Sequence, residues 1–144
     1  MGPFSLASTP VEHEAEAEVL GEDLVRDQLS AAEELIYVGH REPALVAAGA
    51  ALEGALRLSA GGLAGPTASA AALLEALLAM RMLRDTEYDL LYEALEARDR
   101  LVRGYVPDDD AVVRPDRIRS VLVIVVRLLE PLSAPETLRR RHPL

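Results

Sequence analysis

The chain has 144 residues and a formal net charge of −9; half of its residues are apolar, yet only 3% are aromatic, and it contains no cysteine. That length closes about one hydrophobic core. The absence of cysteine excludes disulfides and thiolate metal sites and lends secretion no support. Alanine and leucine dominate, both strong helix formers, and every basic side chain apart from three histidines is arginine.

The negative charge is concentrated. Residues 11–34 hold nine of the 24 acids against one arginine, Arg26, so the rest of the chain sets fifteen acids against fourteen arginines. An acidic total therefore leaves room for a local basic groove, although long-range steering of nucleic acid is poor. The longest aliphatic run near the C-terminus, VLVIVV at 121–126, is far short of the roughly 20 residues that span a bilayer. The opening MGPFSLASTP is not a signal sequence. The expectation is a cytoplasmic protein without membrane contact.

In chain order, a flexible segment over residues 1–10 precedes a helical domain over 11–131, and a mobile tail covers 132–144. The first helix runs from about Glu12 to Val38, where Gly39 offers a C-terminal cap. Its alternating acids Glu12, Glu14, Glu16 and Glu18 read as a solvated helix start. His40 follows as a polar turn residue, and Pro43 fits the first turn of a second helix. That helix, ALVAAGAALEGALRLS, places Leu45, Leu52 and Leu56 on one face with Ala48 and Ala55 beside them. Its small residues imply close approach by neighbouring helices. AGGLAGP at 60–66 reads as a loop, and a third helix spans about Ser69 to Met82.

Thr86 and Asp89 have the spacing of a capping box opening a fourth helix, which Gly104 and Pro107 close. VPDDDAVVRP is a surface loop whose Asp108, Asp109 and Asp110 are polar filler. Pro115 and Asp116 start a last helix ending near Glu130. IRSVLVIVVRLL is β-branched enough to pass for a strand, but a lone strand among four helices has no partner. It is read as a central helix buried on all sides. The fold class expected is all-α, an up-and-down bundle of four to five helices.

On the fourth helix, Tyr88, Leu91, Leu95, Arg98, Val102 and Tyr105 recur at steps of three or four, which puts Arg98 inside an apolar stripe. An unpaired charge there costs several kcal/mol in effective terms. Arg98 must pair with a carboxylate, line a wet cleft or meet a second subunit. Glu53 is either its partner or an exposed edge of the second helix. Arg103 sits in the last turn, where a cation complements the helix dipole.

The heptapeptide Arg98-Asp99-Arg100-Leu101-Val102-Arg103-Gly104 resembles the signature of HEPN domains (higher eukaryotes and prokaryotes nucleotide-binding), commonly Arg-Asn-x-x-Val-His-Gly. ALVAAGAALEGALR at 44–57 and LLEALLAMRMLRDTEYDLLYEAL at 73–95 resemble that family's second helix and the lead-in to its motif helix. The resemblance covers roughly residues 24–130. It implies a bundle of four or five helices and a homodimer whose two motif helices face each other across a cleft. It also implies a metal-independent endoribonuclease needing no cofactor, commonly paired with a nucleotidyltransferase or nuclease partner. Carried over, Arg98 matches the arginine that stabilises phosphate charge, Asp99 the polar residue, and Arg103 the histidine that moves a proton.

Arg103 in the histidine position is the decisive departure, because arginine stays protonated and cannot act as a general base. It can hold a phosphate bidentately. The expectation is a catalytically silent binding or regulatory module of a bacterial defence or toxin–antitoxin-type system. Arg98, Arg100 and Arg103 would be the RNA-contacting residues, with an endoribonuclease of altered chemistry or a purely structural subunit as alternatives. His13, His40 and His142 form no metal-ligand spacing, and Arg139, Arg140 and Arg141 make the tail basic.

Overall fold

The computed structural model describes the backbone of residues 10–65, 67–105 and 113–133, and the side chains of 21–60, 65, 67–105 and 113–131. Five α-helices make up these residues, with no strand among them: α1 (Pro10–Tyr37), α2 (Arg41–Ala64), α3 (Ala70–Ala79), α4 (Asp85–Val102) and α5 (Pro115–Ser133). The all-α bundle expected from composition and periodicity is what forms. The expected flexible start, the aspartate loop with Pro107, and the basic tail with His142 lie outside the described residues, as do the side chains of His13 and Glu12 to Glu18.

The long helix α2 is the hub, packing against α1, α3, α4 and α5. Its composition explains this role. Ala44, Leu45, Ala48, Ala51, Leu52, Ala55, Leu56 and Ala60 are all buried, and the alanines let neighbours approach from several directions at once. The closest approaches fall on glycines. A Cβ at Gly54 would lie 2.5 Å from Val25 Cγ2 of α1, and one at Gly49 would lie 2.7 Å from Arg98 Cγ of α4. Around this hub, Val25, Leu29, Ala32 and Ile36 of α1 and Leu73, Leu74 and Leu77 of α3 close the core. Leu91 and Leu95 of α4 and Ile118, Val121, Val125 and Leu129 of α5 complete it. No polar or charged residue is buried among the described residues.

Helix ends follow local chemistry. Gly39 has φ +88°, and the Gly39 and His40 amides donate back to the carbonyls of Ile36 and Leu35, the paired bonds of a Schellman cap. His40 is exposed and its carbonyl accepts the Ala44 N–H at 3.0 Å. Gly104 (φ +91°) ends α4 in the same way, with the Tyr105 amide reaching the Arg100 carbonyl. Arg81 repeats the device at the end of α3 with φ +62°. This left-handed residue ends the third helix at Ala79, short of the expected Met82, and because it is not a glycine the sequence carried no stop signal there.

Three other expectations are corrected. AGGLAGP is not a loop throughout: α2 continues to Ala64 and stops before Gly65, whose φ is +89°. Glycine inside a helix costs only about 1 kcal/mol relative to alanine, so two glycines need not end one. Next, α4 begins at Asp85, and the reciprocal carboxylate is Glu87, whose Oε1 accepts the Arg84 N–H at 2.9 Å. Asp89 lies too far along for this role. Finally, the β-branched run is helical but not buried on all sides. Its inward positions follow the 3.6-residue period, leaving Val123 at 68% and Val126 at 41% exposure. It also continues past Glu130 through Pro131 to Ser133.

Ion pairs tie α4 to α5. Arg127 reaches both oxygens of Glu87, and Arg117 reaches Glu93. Glu87 precedes Glu93 along α4 while their partners run in the opposite order along α5, so the two helices are antiparallel.

Candidate functional site

Arg98 points from α4 towards α2, and its stem lies against the bare backbone of Gly49. Its side chain is 15% exposed, and its guanidinium meets two carboxylates: Nη2 donates to Glu53 Oε1 and Nε to Asp99 Oδ1, each at 2.9 Å. The other oxygen of Glu53 accepts from Arg57 Nη2 at 3.3 Å, and Arg57 Nη1 reaches the Ala68 carbonyl at 3.1 Å. One carboxylate thus joins two guanidiniums, and the four groups Arg57, Glu53, Arg98 and Asp99 sum to no net charge.

The electrostatics agree. The hydrogen bond from Arg98 holds the Glu53 carboxyl below its ordinary value of 4.5, against the opposing effect of burial. For Arg98, burial favours losing the proton, but the bonds and charges of Glu53 and Asp99 together outweigh it and push the group up. Both groups are therefore held ionised. Beside them lies an open groove of about 400 Å³ between α1 and α2, where Leu24, Gln28, Gly54 and Leu58 meet the edges of Glu53, Arg57 and Arg98.

Arg100 and Arg103 are not part of this cluster. At about 100° per residue, they sit roughly 60° apart on α4, while Arg103 is about 140° around the helix from Arg98. Arg100 is 68% exposed and lies 3.9 Å from Glu96. Arg103 is exposed and caps the helix, its N–H donating to the Asp99 carbonyl. The residues expected to act together thus divide into one inward cross-link and two outward cations. Val102 and Tyr105, read as continuing the apolar stripe, are 66% and 65% exposed. The buried part of the stripe therefore ends at Arg98.

Arg57 and Gly49 were not singled out from sequence. Arg57 follows Glu53 by four residues, the spacing of a helical ion pair, and that signal was available. Gly49 gave no signal beyond the general smallness of its helix. Among the described residues, no group of three His, Asp or Glu side chains could hold a metal ion, and no helix is long and apolar enough to cross a membrane.

A second surface involves α5. A groove of about 480 Å³ between α1 and α5 is floored by Leu122, Val123 and Val126, with Arg119 and Glu130 at its two ends and Glu33 on the α1 side.

Comparison of the chain with family models, with curated proteins and with solved structures gives no match. The functional reading therefore rests on the residues and their geometry.

Proposed function

We propose that this chain is a catalytically silent, HEPN-like helical module that works by binding, as the regulatory or structural member of a defence or toxin–antitoxin-type pair. One observation carries the reading: the motif arginine is closed off by Glu53 and Asp99. A phosphate arriving at Arg98 would have to displace two carboxylates already at 2.9 Å, and their negative charges would oppose it. Arg98 then serves as a cross-link between α2 and α4, and Arg103 offers no proton acceptor in place of the motif histidine. The pairing also removes the need for a second subunit to satisfy Arg98, so a dimer cleft built on the motif helices has lost its physical argument.

The partner chemistry that remains open to the motif helix is modest. Arg100 and Arg103 share an exposed face and favour a second, subordinate reading, weak salt-dependent contact with an RNA backbone. A nucleotidyltransferase or nuclease, the pairing the resemblance implies, is the partner class proposed for the module as a whole.

RNA cleavage on a denaturing gel in EDTA tests the reading, with wild type beside Arg103→His. The expected result is no cleavage by either protein, because restoring the histidine leaves Arg98 held by its carboxylates. Cleavage by the wild type would overturn catalytic silence. Cleavage by the histidine variant alone would show that Arg98 is free to act on phosphate.

A further inference from the structure

The exposed side of α5 carries a pattern that is complementary to itself. Arg119, Val123, Val126 and Glu130 are spaced by four, three and four residues, which at 100° per residue gathers them into a stripe about 60° wide. The two valines lie at its centre, and the arginine and the glutamate lie at its two ends. At a rise of 1.5 Å per residue, Arg119 and Glu130 each sit about 8 Å from the midpoint between the valines.

Turn a second α5 antiparallel about that midpoint and the register is self-consistent. Val123 opposes Val126 of the second copy, and Arg119 opposes Glu130 of the second copy, twice over by symmetry. An isologous contact requires that one patch complement itself, and spacings of three and four are the seam of packed helix pairs. The use of the other arginines on this helix sharpens the point. Arg117 is taken by Glu93 and Arg127 by Glu87 within the chain, whereas Arg119 has no ion pair among the described residues. The valines stand 68% and 41% exposed beside an apolar groove, whereas the other aliphatic residues of the helix between Ile118 and Leu129 are buried.

We propose that this face binds a second copy of the chain through antiparallel α5 helices, in the register that pairs Arg119 with Glu130. It is a different surface from the motif helix, it does not rest on the HEPN resemblance, and it leaves the Arg98 cluster untouched. A single helix pair buries less than a standard interface, so the dimer is weak, with a Kd in the range of about 10–100 µM.

Sedimentation equilibrium of the full chain between about 1 µM and 1 mM measures this directly. The wild type should pass from monomer to dimer across that range. Val123→Glu should raise the Kd at least about tenfold, with an unchanged thermal melt of the dilute monomer because the site is exposed. Arg119→Glu and Glu130→Arg should each weaken association about five- to tenfold. The double variant Arg119→Glu/Glu130→Arg should recover to within about threefold of wild type, because only this register pairs the two positions across the two-fold axis. Those positions lie about 16 Å apart on one helix, too far to pair within a chain. A chain that stays monomeric throughout, or a dimer indifferent to Val123→Glu, would overturn the proposal, and a double variant no better than the singles would overturn the register. None of these outcomes bears on RNA cleavage, so the α5 contact and the silent motif stand or fall separately.

Discussion

Arg98 and Arg119 are set into similar surroundings by sequence and treated oppositely by the fold. Each lies three or four residues from aliphatic neighbours along an amphipathic helix. Arg98 is folded under α2 and meets Glu53 and Asp99, while Arg119 stands at the end of an uncovered valine stripe with no ion pair among the described residues. The difference comes from the neighbour. α2 supplies a carboxylate one turn beyond a glycine, so the arginine stem can lie flat on Gly49 and still reach Glu53. The outer face of α5 has no helix over it among the described residues. An arginine in an apolar stripe announces a missing acceptor, and only the tertiary structure says whether that acceptor is in the same chain.

Truncating the two arginines is the most direct test of this contrast. Arg98→Ala should lower the unfolding free energy in urea by about 2–3 kcal/mol, through a lost charged hydrogen-bond pair and a lost packed stem. Arg119→Ala, measured on dilute protein, should stay within about 0.5 kcal/mol of wild type. Equal effects would erase the distinction. Next in size is Gly49→Ala, in which a helix-favouring substitution drives a Cβ to 2.7 Å from Arg98 Cγ. Overpacking outweighs the propensity gain, for a net loss of about 1–2 kcal/mol. In the background of Arg98→Ala the same change should instead be neutral or stabilising, and the non-additivity is the signature of direct contact.

A smaller effect follows from pH. Because Glu53 titrates below its ordinary 4.5 when folded, its contribution is fully present above that value and fades as pH falls through the lowered one. At a carboxylate one-third open to solvent this amounts to about 1 kcal/mol. Urea titrations at about pH 7 and about pH 3 should show Glu53→Gln less acid-sensitive than wild type by that amount.

Much of the bundle was legible beforehand because helix periodicity and glycine stops are local signals. Gly39, Gly104, Pro43 and Pro115 all mark real boundaries, and the Ala-rich second helix announced a crowded hub. The failures share a cause as well. Gly61 and Gly62 were read as a loop when the helix runs on over them to Ala64, and VLVIVV was read as fully buried when two of its valines fall off the inward face. Neither outcome follows from local residue preferences alone. The candidate site shows the same divide. Glu53 as the partner of Arg98 was one of two readings in the sequence, and the structure selects it. The separation of Arg98 from Arg100 and Arg103 follows from helical geometry once the helix is known to run unbroken to Val102.

One carboxylate has a reach larger than its size. Glu87 accepts the Arg84 amide at the opening of α4 and also both terminal nitrogens of Arg127 on α5, and Arg127 bonds hold it below the ordinary carboxylate range. The beginning of one helix and the latter half of another therefore share a single latch. In native-state hydrogen exchange the amides of these two stretches, remote in sequence, should open as one cooperative unit. Acidification should loosen them together, as the Glu87 carboxyl takes up a proton and the bonds from Arg127 are lost.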